Sequence, residues 1–138
     1  MDQPRKFRFT LGGLLVLLAL IAVGIAVLRP LKTTRITDVK VGTGPAVKEG
    51  DTLVVHYVGQ LVNGKTFDDS KSRGQPLEMI VGRGMVIKGW DIGLLGMRVG
   101  GVRKLTIPPS EAYGEKGAPP VIPSNSTLYF EVDLLGIK

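Results

Sequence analysis

The chain has 138 residues, 43% of them hydrophobic, and a formal net charge of +6 at pH 7. This length accommodates one ordinary domain and a short appendage, which argues against a second catalytic domain. The sequence contains no cysteine, and this excludes disulfides, thiolate catalysis and cysteine-ligated metals.

The positive charge is concentrated near the N-terminus. Residues 1–35 carry six basic side chains and one acidic one, so 12 basic and 11 acidic side chains remain after residue 35. That remainder is nearly neutral and has no basic face of the kind that nucleic-acid binding requires. We therefore expect no nucleic-acid partner. The basic residues beside the hydrophobic run described next are typical of membrane flanks.

Residues 11–28 form an uncharged hydrophobic run that follows a basic tail at residues 1–10. As a helix, such a run spans about 27 Å, close to the roughly 30 Å hydrocarbon thickness of a bilayer. This predicts a transmembrane helix or signal anchor. A cleaved signal peptide is the alternative, although its apolar core usually has about 7 to 15 residues. The lack of a polar stripe argues against a buried soluble helix.

Basic residues lie on both sides of this run, so the positive-inside rule discriminates weakly. A short basic tail before a first hydrophobic segment more often stays in the cytoplasm. We therefore expect a single-pass membrane protein, in contact with the lipid bilayer through residues 11–28, whose remaining residues lie on the non-cytoplasmic side. Signal cleavage would instead give a secreted or periplasmic protein.

A polar linker at residues 29–35 precedes a domain at residues 36–138, and Pro30 argues against a helix that continues through the linker. Within the domain, hydrophobic alternation with a period of two predicts half-buried strands. A hairpin turn is predicted at Asn63-Gly64. The predicted strands fall at 52–58, 65–68, 77–81, around 105–107 and at 127–135.

One stretch has helical spacing instead, with Ile87, Trp90 and Leu94 on one face and Gly96 as a C-terminal stop. One short helix among five or six strands predicts an α+β fold, in which an antiparallel sheet packs one face on the helix. Glycine and proline are dense in residues 108–123, which predicts structured loops. Binding residues are often carried on such loops.

The residues of common catalytic centres are scarce. His56 is the only histidine, so neither a histidine triad nor a histidine metal site can form, and we interpret it as a strand residue fixed by a local hydrogen bond. Asp68 and Asp69 are adjacent in a predicted strand and therefore point to opposite faces, which argues against a catalytic carboxylate pair. No cofactor and no metal are expected.

Five aromatic residues remain in segments that only folding can bring together: Tyr57, Phe67, Trp90, Tyr113 and Phe130. From their type alone they could form the core or line a binding cavity, because aromatic side chains serve both purposes.

Short motifs around these aromatic residues resemble, in order and spacing, those of the FKBP-type peptidyl-prolyl isomerase family. The motifs are VVHYVG at 54–59, NGKTFD at 63–68, VIKGW at 86–90, AYG at 112–114, and VIP at 121–123 followed by LYFEV at 128–132. The resemblance covers residues 36–138 without a large insertion.

The resemblance implies an FKBP-like fold, in which the sheet wraps around the short helix and an apolar pocket forms between them. Catalytic roles are implied for Tyr57, Asp68, Ile87, Trp90 and Tyr113. Substrate-binding roles are implied for Phe67, Leu77, Val86, Ile122, Phe130 and Arg73, of which Arg73 supports Tyr57 and Asp68 through polar contacts.

The implied activity is cis/trans isomerisation of X-Pro bonds in client proteins, by desolvation in this pocket. The implied partners are proline-containing peptides, unfolded or membrane-associated clients, and macrolide inhibitors. This chain departs from the best-known members at Leu77, where they carry phenylalanine. It also departs from them at the rim of the pocket, where Met85 and Ala118 replace polar residues. A non-catalytic module that binds proline segments, or assists folding at a membrane, is the alternative.

Overall fold

The structure is a computed structural model that describes residues 30–138. The predicted basic tail and the predicted hydrophobic helix, at residues 1–10 and 11–28, lie outside the described residues. Within residues 30–138, no helix has the length and apolar character needed to cross a membrane. Lys32–Lys138 form one compact unit.

Six strands, one short α-helix and one 3-10 helix make up this unit. In chain order they are β1 (Arg35–Lys40), β2 (Thr52–Gln60), β3 (Thr66–Asp69), β4 (Leu77–Ile80), α1 (Lys88–Gly93), β5 (Val102–Ile107), a 3-10 helix (Pro109–Glu111) and β6 (Leu128–Ile137). The strand order is β1-β5-β6-β2-β3, and β4 also pairs with β2. Every pairing is antiparallel, which confirms the predicted antiparallel sheet with one helix.

Among residues 30–138, the central pair, β2 and β6, supplies seven of the sixteen buried hydrophobic residues of the core. Buried residues alternate along β2 at Leu53, Val55 and Tyr57, and the same alternation runs along β6. Tyr57 lies directly opposite Val132 in this pair. Because alternate side chains of a strand share one face, the two strands present a continuous apolar surface to α1.

Two glycines allow α1 to lie close to β5. A Cβ added at Gly89 would lie 2.5 Å from Ile107 Cγ2, and one at Gly93 would lie 2.8 Å from Leu105 Cδ2. Real Cβ atoms do not approach other atoms so closely, so larger residues would push the helix away from the sheet. This close approach buries Trp90 against the core.

The first strand was not among the segments predicted as strands, and it begins at Arg35, within the predicted linker. All six of its residues are exposed, including Ile36 and Val39. A strand that buries no residue has no hydrophobic alternation, so its sequence gives no strand signal. Its pairing with β5 holds it in the sheet.

Candidate active site

A cleft of about 160 Å³ lies between α1 and the inner face of the sheet. It is lined by Met85 and by nine residues predicted from the sequence: Tyr57, Phe67, Asp68, Leu77, Val86, Ile87, Trp90, Tyr113 and Phe130. These residues come from β2, β3, β4, α1, β6 and two loops. The fold therefore brings together side chains that are far apart along the chain.

Aromatic rings at right angles to one another form the base of the cleft. The ring centroid of Trp90, which is 3% exposed, lies 5.0 Å from that of Tyr57 and 5.3 Å from that of Phe130. Phe67 meets Phe130 at 5.6 Å in the same edge-to-face geometry. Such pairs are favourable because the positive ring edge faces the negative ring face. Trp90 thus belongs to the core and lines the cleft at once.

One edge of the cleft is polar. The Tyr57 hydroxyl donates to Asp68 Oδ2 at 2.5 Å, and Arg73 Nη2 donates to the Tyr57 hydroxyl at 3.0 Å. Arg73 also forms an ion pair with the other Asp68 oxygen, Oδ1. Both oxygens of the carboxylate are therefore engaged, and this fixes the orientation of Asp68 at the cleft.

The environment of Tyr57 favours its neutral form. Burial raises the pKa of Tyr57, and its hydrogen bond to Asp68 raises this pKa further, while Arg73 acts in the opposite direction. The hydrogen bond to Tyr57 and then the contact with Asp68 raise the pKa of Arg73. Near neutral pH, Tyr57 therefore remains a proton donor to Asp68, and Arg73 remains a cation.

Two donors at the cleft have no partner within residues 30–138. The backbone N–H of Ile87, the residue before α1, makes no hydrogen bond there, although the Ile87 carbonyl accepts from Trp90 N at 3.0 Å. The Tyr113 hydroxyl likewise makes none among these residues, and Tyr113 is 43% exposed. Both groups are free to donate to a ligand.

Two of the predicted site residues do not line the cleft. Arg73 lies outside it and contacts Tyr57 and Asp68, as the resemblance implied, and Ile122 is buried in the hydrophobic core. Met85, singled out from the sequence as a rim position, lines the cleft and is 59% exposed.

Gly59 supports the cleft and was missed by sequence reasoning. A Cβ added there would lie 2.6 Å from Phe67 Cζ and 2.8 Å from Phe130 Cε1, so the two rings occupy the space that a side chain would need. Gly59 lies one residue beyond the predicted strand 52–58. The available signal was its position two residues after Tyr57, because a strand that continued through residue 59 would place both residues on one face.

The neighbouring polar residues lie outside the cleft. Asp69 accepts from the Lys71 backbone N–H and the Ser72 hydroxyl, both at 3.0 Å, so it forms no carboxylate pair with Asp68. His56 Nδ1 lies 2.9 Å from the Ser70 hydroxyl, which confirms the predicted local hydrogen bond. Among residues 30–138, no group of three or more histidine or acidic side chains is arranged to hold a metal.

Comparison with known proteins shows which protein family this chain matches. Residues 44–135 match the family model described as FKBP-type peptidyl-prolyl cis-trans isomerase. The chain is 53% identical over 103 residues to FK506-binding protein 4 of Rhizopus delemar, covering 75% of this chain and 27% of that protein. It is 57% identical over 91 residues to FK506-binding protein 1A of Neurospora crassa, covering 66% of this chain and 76% of that protein.

A solved structure supports the same assignment at the level of the fold. The crystal structure of AtFKBP13 superposes with a TM-score of 0.71 at 43% identity and covers 76% of this chain and 93% of that one. The chain spans only about a quarter of the length of the Rhizopus protein, so the match to that relative concerns one domain of a longer protein.

Proposed function

Because the chain belongs to the FKBP-type peptidyl-prolyl cis-trans isomerase family, we propose that it catalyses rotation about X-Pro bonds in client polypeptides. The main observation behind this proposal is the cleft between α1 and the sheet. Its walls are apolar except at the edge formed by Asp68, and its floor is the Trp90 indole. Two hydrogen-bond donors at the cleft, the Ile87 N–H and the Tyr113 hydroxyl, have no partner among residues 30–138.

The proposed chemistry needs neither a nucleophile nor a proton carrier, because no covalent bond is broken. Rotation about a peptide bond has a barrier of roughly 18–20 kcal/mol, which arises from amide resonance. The twisted transition state loses this resonance and its charge separation. A water-poor cleft therefore stabilises the twisted amide relative to the planar one.

Each predicted site residue except Ile122 has a role in this proposal. The proline ring lies on Trp90, between walls that include Phe67, Leu77, Val86 and Phe130. The Ile87 N–H and the Tyr113 hydroxyl donate to substrate carbonyls, which fixes the peptide while its amide rotates. Asp68, oriented by Tyr57 and Arg73, lies beside the carbonyl that moves.

The test is proline-limited refolding of a client protein in the presence of the full chain. We expect acceleration over the uncatalysed time of tens to hundreds of seconds. Tyr113→Phe removes a hydroxyl from the cleft and should lower kcat/KM about three- to tenfold, the effect of one lost hydrogen bond. Tyr129→Phe removes a hydroxyl outside the cleft lining and should match the parent.

Two outcomes would contradict this proposal. If the parent chain leaves the refolding rate unchanged yet binds proline peptides, the chain is a binding module and not an isomerase. If Tyr113→Phe and Tyr129→Phe behave alike in an active chain, Tyr113 has no role in turnover.

We also propose that the cleft takes macrolide ligands, since the relatives above are named FK506-binding proteins. Leu77 presents less flat area to such a ligand than the phenylalanine of the best-known family members. Leu77→Phe should therefore tighten FK506 binding in a calorimetric titration. Equal or weaker binding by this variant would mean that Leu77 does not limit affinity.

For residues 11–28 we propose a single-pass membrane anchor, with the isomerase domain on the non-cytoplasmic side. Support comes from the length and uncharged character of this run and from its basic flanks. Carbonate extraction and protease protection of the full chain test both points. Release into the carbonate supernatant, or a mature protein that lacks residues 1–28, would favour signal cleavage instead.

A further inference from the structure

The buried carboxylate of Glu111 is held by a single residue from the start of the domain. Glu111 is 8% exposed, and its Oε1 accepts from the Thr34 backbone N–H at 2.5 Å and from the Thr34 hydroxyl at 3.0 Å. Within residues 30–138, these are its only side-chain hydrogen bonds, and no cation pairs with it. A buried carboxylate is costly unless donors satisfy it, so this contact holds the two segments together.

Glu111 belongs to the same hydrogen-bonded turn as Tyr113. Ala112 N and Gly114 N both donate to the Pro109 carbonyl, at 3.0 and 2.9 Å, and these bonds close the turn around Tyr113. A shift of Glu111 would therefore move the backbone that carries Tyr113.

Thr34 also contacts the helix that forms the floor of the cleft. A Cβ added at Gly89, the residue before Trp90, would lie 2.8 Å from Thr34 Oγ1. Thr34 thus lies between α1, which carries Trp90, and the end of the 3-10 helix at Glu111, two residues before Tyr113. Thr34 precedes residues 44–135, which match the family model. The contact between Thr34 and Glu111 therefore involves a residue outside the matched region.

From this geometry we propose that Thr34 is a positioning residue, which acts through Glu111 to hold Tyr113 at the mouth of the cleft. The proposal rests on the proposed isomerase function, since Tyr113 is expected to donate to the substrate. Thr34 itself does not line the cleft, so its proposed role is exerted through Glu111 and needs no contact with the substrate.

The test compares five variants of the full chain, including Tyr113→Phe and its combination with Thr34→Val, in an X-Pro peptide isomerisation assay. Thr34→Val removes the hydroxyl and should lower kcat/KM about three- to tenfold, whereas Thr34→Ser keeps the hydroxyl and should restore the parent value. Thr33→Val, at the exposed neighbouring residue, is the matched control and should match the parent. In a Tyr113→Phe background, Thr34→Val should have no further effect, because its action passes through the Tyr113 hydroxyl.

Hydrogen exchange supplies a readout that does not depend on activity. In Thr34→Val, the amides of Ala112 and Gly114 should exchange faster than in Thr33→Val, while the amides of β2 keep their parental rates. Unchanged exchange, or a loss of kcat/KM that persists in the Tyr113→Phe background, would overturn the positioning role. An inactive parent chain would instead overturn the proposed function, and the exchange rates would still decide whether Thr34 fixes the Tyr113 turn.

Discussion

At the scale of single residues, Tyr57 links the apolar and polar parts of the cleft. Its ring packs edge-to-face on Trp90, and its hydroxyl donates to Asp68 while it accepts from Arg73. Only the protonated hydroxyl can donate, so the contact with Asp68 depends on neutral Tyr57. Burial and the neighbouring carboxylate both favour that form.

The raised pKa of Tyr57 predicts a specific dependence of stability on pH. A pKa that is higher in the folded state gives stability that is fully present below about pH 10, the usual pKa of tyrosine, and is lost as pH rises through the folded-state pKa. Tyr57→Phe should therefore be less stable than the parent near neutral pH, by about 0.5–1.5 kcal/mol. The difference should shrink above about pH 10.

Urea unfolding of both proteins across this pH range measures the difference directly. A gap in unfolding free energy that stays constant into the alkaline range would show that the Tyr57 hydroxyl carries no pH-dependent stability.

Gly59 allows a second prediction at this scale. Gly59→Ala should force Phe67 and Phe130 apart, at a cost of about 1–3 kcal/mol, and should lower isomerase activity because these rings line the cleft. Gly136→Ala is the matched control, since a Cβ at that strand residue would meet no atom within 4 Å. Chemical denaturation and peptide isomerisation measure the two effects. Equal stability and activity of the two variants would mean that Phe67 and Phe130 move apart without a measurable cost in free energy.

At the scale of elements, α1 depends on a buried arginine from β5. Arg103 Nη1 donates to the carbonyls of Gly93 and Leu95 at 2.9 and 3.0 Å, and Nε donates to Asp38 Oδ1 at 2.7 Å. These bonds satisfy carbonyls at the end of the helix, which otherwise lack partners. Arg103 therefore ties β1, β5 and the floor of the cleft together.

Arg103→Met keeps much of the side-chain volume but removes all of these donors. We expect it to destabilise the domain by about 2–4 kcal/mol, because the buried Gly93 carbonyl and the partly buried Leu95 carbonyl lose their partner and Asp38 loses its cation. Lys104→Met, at the exposed next residue of the same strand, should change stability by less than about 0.5 kcal/mol. Thermal and urea unfolding measure both. Similar losses in the two variants would contradict the role of Arg103.

The sequence predicts elements well wherever one face is buried. Hydrophobic periodicity predicts five of the six strands and α1, because Tyr57, Trp90 and their neighbours follow the period of a half-buried strand or helix. The strand β1 was missed because it buries nothing. Arg103 occupies an inward position of β5 with Leu105, but its charge conceals this, and its carbonyl partners come from a different element.

At the scale of the whole molecule, the cleft exists only in the folded chain. Its aromatic and aliphatic walls come from segments between residues 57 and 130, and hydrophobic periodicity alone could not tell whether those rings fill a core or line a cavity. The resemblance to the FKBP-type family implied that these rings line a cavity. The placement of Ile122 in the core and the contact between Thr34 and Glu111 depend on packing across distant segments, for which the sequence carries no local signal.

The central claim is that this cleft accelerates rotation of a bound X-Pro bond. NMR exchange spectroscopy of a short X-Pro peptide with a small amount of the full chain tests it most directly, because one experiment reports both binding and cis/trans interconversion. We predict exchange peaks between the cis and trans forms on a subsecond timescale, against tens to hundreds of seconds for the free peptide. Peptide signals that shift on binding without any exchange peaks would contradict the claim.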